Sequence, residues 1–485
     1  MNSCTFENPA SFLKSRRELL RTSALGLGNL ALATLLAEDA AANPAAKTAR
    51  EGSLEPRVSH FAPRAKRVIF LFMLGGPSHL DTFDFKSRLD RDHGKPLPFP
   101  KTRIKFDGTG NLLRSPWKFH RYGQSGALVS DLFPHVAQHV DDLCIIRSLH
   151  GTNVAHGAAI LKLHTGSDTF VRPSLGSWIL YGLGTENQNL PGFITICPTL
   201  GYGGVKNWSS AFLPAPFQGI PLANSTVPPD QARVRYLENR RVPRWLQRRQ
   251  LDMLHEISRE QLLQTGPNQA LEGRIESFEL AFRMQTEMPE IQDIADETPA
   301  TRKLYGIDDK ETADFGRQCL LARRFAEHGV RFIQVTHSPP ETWDQHYSIV
   351  EGHGTNARQV DRPIAGLLAD LKNRGLLDDT LVIWGGEFGR TPTVQGDYGK
   401  RAGRDHNPTG FTIWLAGGGV KGGVRYGATD DYGYHAVQDK VHLHDLHATI
   451  LHLLGFDHEQ LTYRYAGREF RLTDVHGNVV RDILA

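Results

Sequence analysis

The sequence predicts an α/β fold, a three-layer α/β/α arrangement around a mainly parallel sheet, and three observations predict it. Short, predominantly apolar runs recur along the chain, at Val68–Leu74, Leu143–Ile146, Phe193–Cys197, Val330–Val335, Leu381–Trp384 and Phe411–Ala416, and the first, second and fifth hold no polar residue at all. Strands covered by helices on both faces read this way, without polar alternation. Most of these runs stop at glycines or at a turn rich in His, Asp, Glu and Arg. Open α/β sheets bind their ligands at the carboxyl ends of their strands. In the second half, helical periodicity alternates with the apolar runs, which gives parallel strands joined by right-handed crossovers.

Composition bounds the function. The 485 residues hold 56 Lys and Arg against 53 Asp and Glu, a formal charge of +3, and no polybasic surface for nucleic acid follows. At the N-terminus, Ser15-Arg16-Arg17-Glu18-Leu19-Leu20 precedes an uncharged, Leu/Ala-rich run from Thr22 to Ala37 and small residues through Ala42. This pattern predicts a twin-arginine signal peptide over residues 1–42, read by the twin-arginine export machinery, and a periplasmic or extracellular mature chain. The run is shorter than the roughly 20 apolar residues of a membrane span, and no later stretch reaches that length, so no span is expected in the mature form. Replacing Arg16 and Arg17 by Lys is expected to leave unprocessed precursor in the cytoplasm, and unchanged export of that variant would remove the assignment. Cys4 belongs to the signal; Cys144, Cys197 and Cys319 lie scattered in apolar segments and read as small buried hydrophobes, not as disulfides or a zinc knuckle.

In chain order, residues 43–67 are Ala-, Pro- and charge-rich and read as a linker, and the domain follows over 68–485. The first strand, Val68–Leu74, runs into Gly75 and Gly76, with Ser78, His79, Asp81 and Asp84 just beyond. Residues 86–130 read as loops. Leu143–Ile146 leads to a polar turn carrying Thr152 and His156, then to a helix from Gly157 to Leu163, whose N-terminus is a natural anion site. Phe193–Cys197 precedes a Gly/Pro-rich loop over Gly201–Ser225. Residues 229–300 read as a helical insertion with an apolar stripe at Leu271, Ile275, Phe278 and Phe282, while Arg240, Arg241, Arg244, Arg248 and Arg249 read as a solvated face. A helix over Ala313–His328, capped by Gly329, returns as the strand Val330–Val335, followed by His337, Asp344, His346 and His353. A helix over Gln359–Arg374 feeds Leu381–Trp384 and its turn, which presents Glu387 and Arg390. Then come Asp405 and His406, the strand Phe411–Ala416, and a helix that His442–Thr449 opens and Leu454 closes.

Asp344, His346, Glu387 and His406 thus fall on one edge of one sheet. Mixed carboxylate and imidazole donors favour zinc or manganese, with calcium the harder alternative, and Asp-x-His in extended backbone points both side chains one way.

The twin-arginine start, GGPSHLDTFDFK at 75–86, TWDQH at 342–346, VIWGGEFGRTP at 382–392, GRDHNP at 403–408 and DLHATILHLLGFDH at 445–458 resemble the large secreted family known as domain of unknown function 1501, grouped with the alkaline phosphatase-like superfamily. The resemblance implies that fold, and it matches Asp344, His346 and His406 in order to the ligands of one metal. For the second metal, the expected aspartate after the first strand is Gly75 or Gly76, with Asp81 and Asp84 displaced, and the expected Asp-His pair reads Glu387-Phe388. Leu163-His164-Thr165-Gly166 resembles the end of the nucleophile's helix; by offset His156 takes the nucleophile's place, with Thr152 one turn earlier as the hydroxyl candidate. Arg390 would neutralise a bound anion. The function implied is an exported metal-dependent hydrolase of phosphate or sulfate esters, acting on a small anionic ester or a sulfated or phosphorylated glycan. The alternative is a catalytically degenerate binding protein of the cell envelope.

Overall fold

The apolar run after the expected linker becomes β1 (Arg67–Met73), the strand from which a nine-stranded sheet is built outward. The computed structural model describes residues 53–485 apart from 102–108, 235–236, 240, 267 and 338–342. The signal segment, Cys4, Arg240 and Thr342 lie outside the described residues. Within the stretch expected to be a linker, Leu54 and Ala65 are buried, and the Leu54 carbonyl accepts from Thr185 N–H at 2.9 Å.

The sheet's other strands are β2 (Leu143–His150), β3 (Phe193–Ile196), β4 (Ile220–Leu222), β5 (Phe332–His337), β6 (Thr380–Gly385), β7 (Phe411–Ala416), β8 (Val424–Tyr426) and β9 (Val441–His442). Their spatial order is β8-β2-β7-β6-β1-β5-β3-β4, with β9 pairing the far end of β2. All pairings are parallel except those of β7, which runs against both neighbours, β2 and β6. Every residue of β1, β3, β5, β6 and β7 is buried. Because successive side chains point to opposite faces, these strands are covered on both, the expected three layers. Where β6 meets β7, Trp384 and Trp414 stack with ring planes 5° apart.

β4, β8 and β9 were not legible; each has only two or three residues. The principal helices are α1 (His156–Thr165), α2 (Leu175–Leu183), α3 (Arg244–Thr265), α4 (Gln269–Gln292), α5 (Ala313–Glu327), α6 (Ile349–Asn373) and α7 (Leu443–Leu453). Among the described residues, no helix is long and apolar enough to cross a membrane.

Three expectations change. The helix expected to begin at Gln359 begins at Ile349, so His353 is a fully buried helix residue whose Nε2 accepts from Ser78 N–H at 2.9 Å. The glycines that read as loop there serve packing: a Cβ on Gly352 would meet Gln345 Cγ at 2.3 Å. In the insertion, α4 turns Leu280, Met284, Met288 and Ile291 inward and leaves Phe278 45% exposed, a face offset from the expected stripe. The basic cluster is likewise not simply solvated. Arg248 forms an ion pair with Glu279 at 2.5 Å, and the Arg244 and Arg248 guanidinium groups cover the Phe282 ring at 5.0 and 5.2 Å, tying α3 to α4.

Candidate metal centre

Chain direction gathers the site. β1, β2, β5 and β6 deliver their carboxyl ends to one edge, and β7, being antiparallel, starts there, so the residues before it arrive at the same place. Glu387 and Arg390 follow β6, Asp344 and His346 follow β5, His156 opens α1 after β2, and Asp405 and His406 precede β7. A two-residue antiparallel ladder, Arg390 opposite His406, fixes the last two turns to each other.

Asp344 is the hub. Its Oδ1 lies 3.0 Å from His406 Nε2, 3.1 Å from His346 Nε2 and 2.7 Å from Arg390 Nη2, and its Oδ2 lies 3.0 Å from His156 Nε2. The opposite nitrogen of each imidazole meets an acceptor: His406 Nδ1 the Val154 carbonyl at 2.6 Å, His156 Nδ1 Glu387 Oε1 at 2.6 Å, and His346 Nδ1 Gln395 Oε1 at 2.6 Å. A carbonyl only accepts, so His406 Nδ1 carries a proton and donates it. Tying off one ring nitrogen so that the other faces inward is how ligating histidines are oriented. His156, Asp344 and His406 offer ligand atoms within 4.8 Å of one another, as do His346, Asp405 and His406. The donor set is therefore three imidazoles and two carboxylates, suited to zinc or manganese.

The charges are strongly coupled. Burial, then the Arg390 and His156 charges, push His406 down to about 3 against the pull of Asp344. For His156, burial lowers the pKa, but hydrogen bonds to Asp344 and Glu387, with their charges, prevail and raise it. Burial would raise Asp344; the three imidazoles and Arg390 instead hold it far below the ordinary carboxylate range.

The expected ligands Asp344, His346 and His406 come together. Glu387, expected in the same shell, is fully buried and accepts from Gly75 N–H at 3.1 Å and from His156 Nδ1 at 2.6 Å, a position from which it orients the His156 ring. His156, expected as nucleophile or base, faces Asp344, with its Nε2 at 3.0 Å from Oδ2. Arg390, expected to meet a substrate anion, is completely buried. It donates to the carbonyls of Gly75, Gly76, Trp343 and Arg404 as well as to Asp344, clamping the loops that carry the ligands. Thr152 is exposed, and its hydroxyl accepts from Lys162 Nζ at 3.1 Å. Gly75, at φ 109°, passes so close to the Asp344 loop that a Cβ would lie 2.7 Å from Asp344 N; no side chain, and so no aspartate ligand, fits there. Asp81 instead pairs with Arg404.

Other site residues were not anticipated. Gln395, three residues into an unremarkable segment, carried no signal. Tyr202 lies with its ring 4.9 Å from that of His156, on a loop whose backbone at that residue is left-handed, φ 48°, which no motif announces.

The family described as Protein of unknown function (DUF1501) matches residues 65–484. No curated protein matches the sequence. Among solved structures, the chain is similar to the lipoteichoic acid synthase LtaP from Listeria monocytogenes, at 9% identity and TM-score 0.36 over 84% of this chain and 77% of that one. It is similar to the alkaline phosphatase of the Antarctic bacterium TAB5, at 10% identity and TM-score 0.34 over 81% and 99%. A third is a protein in the alkaline phosphatase superfamily from Vibrio parahaemolyticus, at 10% identity and TM-score 0.32 over 83% and 68%.

Proposed function

We propose that this chain, which belongs to the DUF1501 family of proteins of unknown function, is an exported, metal-dependent hydrolase of phosphate or sulfate esters. One observation carries the metal. His406 gives its Nδ1 proton to the Val154 carbonyl, so its Nε2 faces Asp344 Oδ1 at 3.0 Å, and His346 Nε2 lies 3.1 Å from that same oxygen. A carboxylate oxygen on which imidazole nitrogens converge, each ring held from behind by an acceptor, has the donor arrangement of a metal site. Asp344, His406 and His156 would hold the ion, and His346 and Asp405 form a second group of donors with His406. When bound, a divalent zinc or manganese ion polarises the ester and offsets the charge that develops in its transition state.

The chain's own residues supply the rest. Glu387 fixes the His156 ring, and Arg390 fixes Asp344. α1 begins without a side-chain cap, so the N–H groups of its first turn are open to an anionic ester. The Thr152 hydroxyl accepts from Lys162 and meets no base among the described residues, so water is taken as the nucleophile. That bond, and a glycine where an aspartate ligand was expected, favour the second reading, a cell-envelope binding protein on the same scaffold.

A panel of aryl phosphate and aryl sulfate esters, run with added zinc, manganese or calcium, separates the two. Turnover of one ester class is expected, unchanged in Thr152→Ala and lowered at least about 10²-fold in His156→Ala. No turnover of any ester by the metal-loaded wild type moves the conclusion to the binding protein.

A further inference from the structure

The loop that carries Tyr202 has the metal centre on one side and a cavity on the other. Its turn Gly204–Trp208 packs on α1, the helix that His156 opens. Behind that turn lies a cavity of about 540 Å³ between the edge strand β4 and the inserted helix α4, lined by Leu200, Val205, Trp208, Ile220, Leu280 and Met284, among others. Among the described residues, no charged side chain lines it. Its polar side chains already make bonds within the chain. Gln218 Oε1 accepts from Ser210 N–H at 3.0 Å, Asn224 Oδ1 accepts from Thr226 N–H at 2.9 Å, and Ser277 Oγ donates to the Gly273 carbonyl at 2.8 Å. Such a cavity favours an apolar occupant, and its size is that of a ligand pocket.

The rim points the same way. Leu200 and Val205 are 57% and 55% exposed and Tyr202 is 44% exposed, an apolar patch on the loop that faces the site. Between residues 197 and 223, Cys197, Tyr202, Ala211 and Ala223 all hold left-handed backbone, with φ between 48° and 58°. Non-glycine residues adopt that conformation only where surrounding structure enforces it, and such strain concentrates at ligand sites.

We propose that the substrate is an amphiphile, its anionic ester head at the Asp344 cluster and an alkyl tail in this cavity, with Tyr202 at the boundary between them. This rests on the hydrolase reading for the head and on the cavity alone for the tail. The test is calorimetric titration of the zinc-loaded protein with n-alkyl phosphate monoesters from ethyl to decyl. Binding should tighten about fourfold for each methylene that enters the cavity, until it is full. Ala281→Trp, which fills the cavity from α4, and Val205→Asp, which charges its rim, should each flatten the series and leave ethyl phosphate binding unchanged. Both positions are solvent-exposed, so folding should tolerate the changes. A flat series in the wild type, or a slope that both variants retain, overturns the proposal. The two readings fail separately. A slope that survives chelation with no ester ever turned over removes the hydrolase and keeps the tail site, whereas turnover without chain-length dependence does the reverse.

Discussion

Asp81→Ala should cost about 3–5 kcal/mol of unfolding free energy, the scale of breaking a buried ion pair by removing one partner. Both Asp81 and Arg404 are fully buried, and the guanidinium reaches the carboxylate twice, at 2.7 Å from Nε and 3.2 Å from Nη2. Ser78 adds a hydrogen bond to Asp81 at 2.5 Å, and Arg404 also donates to the Thr391 and Leu113 carbonyls. Without Asp81 the cation keeps its neutral partners and loses the only charge facing it in this set. Because Arg404 stands two residues before His406, the same change loosens the loop that carries His406 to the cluster. Denaturant unfolding monitored by circular dichroism measures the effect, with Asp142→Ala as reference. Asp142 pairs with Lys372 at 2.7 Å on the surface, where an ion pair contributes about 1 kcal/mol or less. If Asp81→Ala loses no more stability than Asp142→Ala, the pair is not what holds these loops together.

Much of this architecture could be read from residues 68–74, 193–197, 330–335, 381–384 and 411–416, because a strand buried on both faces leaves a predominantly apolar run. The short edge strands could not, since three residues carry no period. His353 shows a different limit. Gly352 and Gly354 argue for a loop on propensity, yet helix α6 runs through them, and at Gly352 Gln345 packs where a side chain would be. At the site, the sheet edge was legible in the positions of Asp344, His346, Glu387 and His406 after or before strands. The order in which they stand was not. Whether a carboxylate touches a metal or orients a histidine depends on which atoms lie behind it, and Glu387 is claimed by the Gly75 amide and His156. Arg390 illustrates the same point: a conspicuous arginine beside a glycine turn reads as an anion receptor, but four backbone carbonyls surround it.

The most direct test compares Asp344→Asn with Glu387→Gln by zinc titration of the purified mature chain, with metal content checked by elemental analysis. Both substitutions remove one negative charge at nearly constant shape, and both residues contact His156. Only Asp344 faces all three inward imidazole nitrogens. An orienting partner of a metal-bound histidine typically contributes about 10–100-fold to affinity, and a ligand itself contributes more. Wild type should therefore retain a tightly bound transition metal, Glu387→Gln should bind it about 10–100-fold more weakly, and Asp344→Asn should lose it by more than about 100-fold. Full metal retention in Asp344→Asn, or a wild type that takes up none, would contradict a metal centre built on Asp344.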